Sequence, residues 1–181
     1  MKYIKYFLGF IALLVLLFIT KGFINPSISY SSQIVVEKSL QESWAVMSDQ
    51  SKIDMWLKGI KDLKHISGEK GTVGAVTQYT FDQNGQESVI VETITSISDN
   101  QYISMDFVME DVMDMDYRMD FETKDGKTYI TSSTTTKGIG LLMRSMVSFM
   151  TSSMQSQEDE NMNNLKTMIE QNTTNYFPEV Q

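Results

Sequence analysis

The chain has 181 residues, including 14 methionines, one histidine and no cysteine, which excludes disulfides, thiolate nucleophiles and cysteine-bound metals. Residues 26–181 hold 12 basic and 23 acidic side chains, and this net charge of −11 argues against nucleic acid as a partner, because binding it requires phosphate-neutralising cations. About 155 residues suit one domain with a single hydrophobic core.

Residues 1–25 contain an uncharged apolar run at positions 6–20, with Lys2 and Lys5 before it and Lys21 directly after it. Because lysine stems can extend toward water, a helix here approaches the ~30 Å hydrocarbon thickness of a bilayer. Residues 27–29 (SIS) only imitate a signal-peptidase site, so an uncleaved transmembrane anchor is favoured over a cleaved signal peptide. The positive flank stays in the cytoplasm. This predicts a single-pass membrane protein whose domain, residues 26–181, lies on the extracytoplasmic side, as in the periplasm at a bacterial inner membrane.

The first elements of the domain are a polar spacer, a strand and two short helices. Residues 25–32 are polar and turn-like, and residues 33–37 predict a strand. Ser39 and Glu42 have the spacing of a capping box, which predicts that a helix begins after Ser39. A second short helix is predicted over residues 49–57.

Strands separated by turn residues follow along the chain. They are predicted over residues 62–67, 74–81, 88–97, 103–110, 113–122 and 128–136. The dipeptides Asn84-Gly85 and Asp125-Gly126 are hairpin signals. The apolar spacing of residues 139–172 predicts one long helix, or two joined end to end, before a tail that runs to residue 181.

The strands within residues 103–122 carry the strongest pattern of the chain. Apolar and acidic side chains alternate there, so each strand has one apolar and one acidic face. This alternation predicts a half-buried antiparallel sheet with a solvated outer face. The apolar face is rich in methionine, a flexible side chain that specifies a tight core poorly.

Several local phrases between residues 30 and 172 point to a known type of domain. They are Trp44 followed by Asp49, Met55-Trp56-Leu57-x-Gly59-Ile60, Gly68…Gly71-x-x-Gly74-Ala75, Gly85…Glu92 and Asn164-Leu165-Lys166-x-x-x-Glu170. Together with the order of elements, they resemble the START-like or SRPBCC superfamily, which includes lipid-transfer and polyketide cyclase/dehydrase-like proteins.

The resemblance implies an α+β helix-grip fold. In it, a curved antiparallel sheet wraps around a long C-terminal helix, and two short helices follow the first strand. The N-terminal transmembrane helix is additional to that domain. The resemblance also implies a cavity between sheet and helix for a hydrophobic ligand.

The expected wall of this cavity combines the apolar stripe, nearby aromatic residues and one side of the last helix. The predicted lining residues are Trp56, Tyr79, Phe81, Met105, Phe107, Met109, Met113, Met115, Tyr117, Met119, Phe121, Met143, Met146, Phe149 and Met150. Plain core packing explains such a stripe in most proteins, whereas the resemblance to a hollow fold favours a pocket. Hydroxyls of Thr131, Ser133 and Thr135, or of their neighbours on the other face, are further candidates.

No catalytic residue, metal site or cofactor is predicted. The acidic row of residues 106–122 lacks the spacing of an EF-hand and is explained as a solvated outer face, partly neutralised by Arg118. His65 is a lone histidine, which is more typical of a structural or surface position. Residues 68–74 do not have the order of a phosphate-binding loop.

We therefore expect membrane-tethered binding or transport of a hydrophobic small molecule, such as a lipid, an isoprenoid or a polyketide-like compound. One alternative is a cyclase or dehydratase, which needs an inward ionisable pair such as Tyr117 with Glu92 or His65. Another is a non-catalytic interaction module of the cell envelope. Residues 139–150, with Arg144 as their sole charge, are expected either to be deeply buried or to lie against the membrane.

Overall fold

The computed structural model describes residues 2–83 and 85–178. Asn84 of the first hairpin signal and the last three residues of the tail lie outside the described residues. The elements are α1 (Lys2–Ile24), β1 (Ser27–Val36), α2 (Leu40–Ser48), a 3₁₀ turn (Gln50–Lys52), α3 (Ile53–Trp56), β2 (Ile60–Ser67), β3 (Val76–Gln83), β4 (Gln86–Ser98), β5 (Tyr102–Met109), β6 (Met113–Lys124), β7 (Lys127–Gly138) and α4 (Gly140–Glu170).

The seven strands form one antiparallel sheet in the order β1-β7-β6-β5-β4-β3-β2. The first strand therefore pairs with the last one, and every other strand pairs with its neighbour along the chain. Helices α2 and α3 pack against α4 on one side of this sheet. The predicted α+β helix-grip architecture is confirmed, including the two short helices after the first strand and the long C-terminal helix.

Strand β1 begins at Ser27, so the predicted polar spacer over residues 25–32 is wrong for most of its length. The cause is cross-strand hydrogen bonding with β7, because the polar side chains of β1 face hydroxyls there. Ser29 Oγ lies 3.0 Å from Thr135 Oγ1, and Gln33 Nε2 donates to Thr131 Oγ1 at 2.8 Å. Such pairs stabilise a strand that its own composition does not favour.

Local signals placed several element ends correctly. Ser39 caps α2, since its Oγ accepts a hydrogen bond from the backbone N–H of Glu42 at 3.2 Å. Asp125 and Gly126 both have positive φ, 52° and 75°, as a tight hairpin turn requires. The helix predicted over residues 49–57 is instead divided into the 3₁₀ turn and α3, and the last helix is one continuous element.

The hydrophobic core lies between the sheet and the second half of α4. Met162, Leu165 and Ile169 of that helix are completely buried. They pack in one cluster with residues from the sheet and from α2 and α3, namely Ile34, Val36, Trp44, Val46, Trp56, Ala75, Ile94, Ile103, Met119, Phe121, Ile130 and Met168. This end of the domain is filled by side chains.

Helix α1 has the length and composition of a membrane span over Tyr3–Ile24, and little of it is buried against the rest of the chain. Its last turns contact the first half of α4, whereas its earlier turns project away as an exposed apolar rod. Length and composition alone also fit a signal sequence.

Candidate functional site

Strand pairing gathers the apolar stripe on one side of the sheet, which we call the inner face. Met105 lies opposite Tyr117, and Phe107 lies between Met115 on one neighbouring strand and Glu92 on the other. Because side chains alternate along a strand, the acidic residues of β6 point to the opposite, outer face. The alternation predicted for residues 103–122 is confirmed.

Four of the predicted lining residues are buried. Trp56, Met119 and Phe121 belong to the hydrophobic core, where Phe121 packs edge-on against Trp44 with ring centroids 5.1 Å apart. Tyr79 is buried on the inner face of β3. The first three therefore contribute to the stability of the core.

The other predicted residues of the sheet are half-buried. They are Phe81, Met105, Phe107, Met109, Met113, Met115 and Tyr117. Among them, the rings of Phe107 and Tyr117 meet edge to face at 5.9 Å. An apolar surface that is neither packed nor fully solvated is a suitable contact area for a hydrophobic molecule.

The first half of α4 does not close over the sheet as predicted. Met143 is half-buried, but Met146, Phe149 and Met150 are 47%, 56% and 44% exposed. The prediction that these three side chains cover the inner face is wrong. Helix α4 is turned so that Ser145, Val147 and Ser148 are buried.

The end of α1 helps to fix this orientation of α4. A methyl group at Gly22 would overlap the backbone of Ser145, so the two helices touch there without intervening side chains. Ser148 Oγ donates to the backbone oxygen of Asn25 at 2.8 Å. The exposed ring of Phe149 stacks on Phe18 of α1, with centroids 5.3 Å apart.

A buried tyrosine–glutamate pair lies on the inner face of β3 and β4. Tyr79 Oη donates to Glu92 Oε2 at 2.9 Å, and both residues are almost inaccessible to solvent. Burial raises the pKa of Glu92, although the hydrogen bond from Tyr79 opposes the effect. Burial also raises the pKa of Tyr79. The pair therefore favours a protonated carboxyl and a neutral phenol.

A second tyrosine–glutamate pair joins the sheet to α4. Tyr117 Oη donates to Glu158 Oε1 at 3.2 Å. Burial raises the pKa of Glu158, while hydrogen bonds from Ser132 and Tyr117 lower it in part. Tyr30, whose pKa burial also raises, lies beside this pair and 3.5 Å from the hydroxyl of Thr136.

Sequence reasoning named Tyr117, Glu92 and His65 as possible partners, but the structure pairs them differently. Tyr117 and Glu92 lie opposite different residues in the sheet. Glu92 is hydrogen-bonded to Tyr79, and Tyr117 is hydrogen-bonded to Glu158. Glu158 was missed because it lies in a polar stretch of α4 that has the composition of a solvated surface. Glu92 had a usable signal, since it shares a strand face with the apolar side chains at positions 90 and 94.

The pairing register decides which hydroxyls of β7 face inward. Ser132, Thr134 and Thr136 are buried on the inner face. The other set, Thr131, Ser133 and Thr135, faces outward and makes contacts with β1. The inner face thus has an apolar part on β5 and β6 and a hydroxyl-bearing part on β7.

His65 supports a turn. Its Nε2 lies 2.9 Å from the backbone oxygen of Gly68, and its strand position is opposite Thr77. No residue that could act as a nucleophile is hydrogen-bonded to it among the described residues. These contacts fit a structural histidine.

The outer face is polar. Arg118 binds Asp120 through several hydrogen bonds, the shortest 2.7 Å, and lies over the ring of Tyr102. A shallow groove of about 560 Å³ crosses this face, lined mainly by serine, threonine and aspartate side chains. In residues 2–83 and 85–178, no three acidic or histidine side chains are grouped so as to hold a metal ion. The outer groove lacks the apolar side chains expected to line a site for a hydrophobic ligand.

A smaller pocket of about 300 Å³ lies beside the C-terminal tail. It is bordered by Ser39 and Glu42 of the α2 start and by residues 172–177. Asn172 Nδ2 donates to Glu42 Oε1 at 3.2 Å, which ties the tail to α2. The pocket thus lies between the tail and the start of α2.

Comparison with known proteins shows the fold. No protein-family model and no curated protein matches the sequence. Among solved structures, the Zhui aromatase/cyclase from a Streptomyces species has a TM-score of 0.67 at 11% identity, covering 80% of this chain and 94% of its own. A Staphylococcus aureus protein of unknown function has a TM-score of 0.65 at 12% identity, with coverages of 80% and 94%.

A third similar structure is that of Ara h 8.0201, with a TM-score of 0.57 at 14% identity over 77% of this chain and 98% of that one. Identities this low establish common architecture. They agree with the helix-grip fold expected from the resemblance to START-like or SRPBCC domains, and the site must be argued from the residues of this chain.

Proposed function

We propose that this protein binds a hydrophobic small molecule on the inner face of its sheet. The observation that carries this proposal is the half-buried apolar surface of Met105, Phe107, Met113 and Met115. Methionine side chains adapt to irregular partners, and aromatic rings supply large apolar contact area. The same face carries polar groups that can orient a ligand, as binding sites of this kind require.

The polar groups restrict the ligand. Glu92 and Glu158 are held by tyrosine hydroxyls, and burial favours their protonated forms. An anionic head group buried beside these neutral carboxyls would lose its hydration without gaining an opposite charge from them, which is costly. The proposed ligand therefore has a largely apolar body with a neutral hydroxyl or carbonyl group, a description that fits neutral lipids, isoprenoids and polyketide-like compounds.

Helix α1 is the proposed membrane tether. Its apolar span and its close contact with α4 through Gly22 favour retention of the helix in the mature protein. The lysines before the span favour the extracytoplasmic side for the domain. A tethered binding domain would take up or deliver its ligand at one membrane surface.

Co-purification with a matched pair of variants tests the binding site. The full-length protein is extracted in detergent, and native mass spectrometry together with analysis of an organic extract identifies bound molecules. Met115→Trp fills the inner face, whereas Asp116→Trp adds the same bulk one residue later on the outer face. We expect a bound apolar molecule in the wild type and in Asp116→Trp, with strong loss in Met115→Trp. Equal retention in both variants would refute the site.

A cyclase or dehydratase acting on the same face is the second candidate. It is favoured by the two inward tyrosine–glutamate pairs, because a carboxyl with a raised pKa is a better general acid or base at neutral pH than an ordinary glutamate. Incubation of the protein with the molecule that co-purifies would reveal loss of water as a decrease in ligand mass. Loss that disappears in Glu92→Gln or Glu158→Gln would support catalysis. A ligand that is retained unchanged would favour binding alone.

A further inference from the structure

The first half of α4 exposes an apolar patch directly beside the membrane-spanning helix. The patch consists of Ile139, Leu141, Leu142, Met146, Phe149 and Met150, all at least 40% exposed. Leu142 is the most exposed of them at 62%. A water-facing surface of this composition is unfavourable unless something apolar covers it.

Contacts with α1 fix how deep this patch lies. Tyr3–Ile24 extends ~33 Å as a helix, close to the ~30 Å hydrocarbon thickness. Phe18, six residues before the end of α1, lies ~9 Å along the axis from Ile24. Because Phe149 stacks on Phe18, it must lie at the same level. If α1 spans the bilayer, Phe149 is therefore below the membrane surface.

Two further observations support this placement. Lys21 Nζ lies 4.1 Å from the ring centroid of Phe149. A lysine at the end of a membrane span extends toward the lipid head groups, so this contact puts Phe149 close to their level. Arg144, the single charged residue of 139–150, is half-buried and is not part of the exposed patch, so the patch itself is uncharged.

We propose that residues 139–150 are immersed in the bilayer interface next to α1, so that the domain lies flat against the membrane. The occupant of the patch is lipid, since the patch continues the apolar surface of the span itself. This proposal rests on α1 acting as a membrane anchor. It adds a second, non-covalent attachment that fixes the orientation of the domain.

This orientation places the methionine end of the inner face at the membrane. The backbone N–H of Ile139 donates to the oxygen of Val112 at 2.8 Å, in the turn between β5 and β6. Met113 is paired with Gly138 and with Met109. The start of the immersed segment thus adjoins the most methionine-rich end of the inner face, and a hydrophobic ligand can pass between that face and lipid without crossing water.

Site-specific labelling of the full-length protein tests the proposal cleanly, because the chain contains no cysteine. Leu142→Cys and Met146→Cys are labelled with an environment-sensitive nitrobenzoxadiazole group and reconstituted in phosphatidylcholine vesicles, with or without doxyl-labelled phosphatidylcholine. Leu13→Cys in α1 is the control for the span. Lys124→Cys is the control for solvent, since it lies at the opposite end of β6, roughly 36 Å along the strand from Met113.

We expect lipid-borne doxyl to quench the labels at positions 142 and 146 several-fold more than the label at Lys124→Cys. Quenching of Leu13→Cys with none at 142 and 146 would overturn the immersion while leaving the anchor intact. Absence of quenching at Leu13→Cys as well would refute the anchor and the immersion together. Ready disulfide formation between Leu142→Cys chains, without quenching, would assign the patch to a second copy of this chain and would also overturn the proposal.

Discussion

Replacing Glu92 by glutamine should stabilise the protein at neutral pH, although it removes a carboxyl group that is hydrogen-bonded to Tyr79. In the unfolded chain this carboxyl titrates near its ordinary pKa of 4.5, whereas burial raises its pKa in the fold. Between these two values the folded state binds more protons than the unfolded state, so the free energy of unfolding falls as pH rises. The stabilising contribution is complete below pH 4.5 and is lost as pH rises through the raised pKa.

The magnitude follows from the same linkage. At pH values above the raised pKa, each unit by which burial increases the pKa lowers the free energy of unfolding by ~1.4 kcal/mol. Glu92→Gln removes this cost and keeps an acceptor for the hydroxyl of Tyr79, which now lies 2.9 Å from the carboxyl. Tyr79→Phe acts in the opposite direction, because it leaves a buried polar group without its partner at a cost of ~1–3 kcal/mol. Glu92→Gln and Tyr79→Phe thus alter the same hydrogen bond, but at neutral pH the first should raise the free energy of unfolding and the second should lower it.

Thermal unfolding of the full-length protein in detergent measures both effects. Trp44 and Trp56 are 8% exposed, so their fluorescence reports loss of the core. Glu92→Gln should raise the midpoint at pH 7–8 relative to the wild type, and its advantage should shrink toward pH 4.5. An equal loss of stability in Glu92→Gln and Tyr79→Phe at pH 7–8, or an effect of Glu92→Gln that does not depend on pH, would refute a carboxyl kept protonated by burial.

Three other predictions concern the core, the helix contact and the last hairpin. Leu165→Ala should lower the free energy of unfolding by ~2–5 kcal/mol because Leu165 is fully buried, whereas Leu142→Ala should change it by at most ~0.5 kcal/mol in detergent. Equal losses of unfolding free energy in the two variants would contradict the assigned core. Gly22→Leu should lower the unfolding midpoint by separating α1 from α4, while Gly9→Leu, which has open space around it, should not; identical midpoints would show that the helices do not touch. Gly126→Val should cost ~1–2 kcal/mol in denaturant unfolding because its φ is 75°, and no loss would mean that the turn has another conformation.

The alternation of polar and apolar side chains predicted the sheet well because each strand has one solvated and one buried face. The alternation of residues 103–122 fixed both strands and both faces, and Asp125-Gly126 located a hairpin from its two positive φ angles. Strand β1 was harder to predict. Its serines and glutamine become strand residues only through hydrogen bonds to β7, which lies about a hundred residues away in the chain.

The rotation of α4 about its own axis could not be predicted from its composition. Residues 139–150 are apolar on several faces, so the sequence did not indicate which face turns toward the sheet. The packing of Ser145 on Gly22 selects a rotation that buries small side chains and exposes Met146 and Phe149. Small residues can determine a helix contact because they let backbones approach closely, and a search for large apolar side chains overlooks them.

The polar part of the site depends on long-range contacts in the same way. Tyr117 was assigned correctly to the inner face, but its partner Glu158 lies 41 residues further along the chain. Glutamate in a polar stretch of a helix is usually solvated, and only the placement of α4 against the sheet brings this one to a tyrosine. Such a pair becomes visible when the tertiary structure is known.

Photocrosslinking within native membranes tests the central claim, that the inner face holds a hydrophobic molecule, most directly. A benzoylphenylalanine is introduced at Phe107, half-buried on the inner face, and in a separate variant at Val108, which is 44% exposed on the outer face. After irradiation, intact-mass analysis of the purified chain detects any adduct. We expect an apolar small-molecule adduct at position 107 and none at position 108. Absence of an adduct at 107, or equal labelling at both positions, would contradict ligand binding on the inner face.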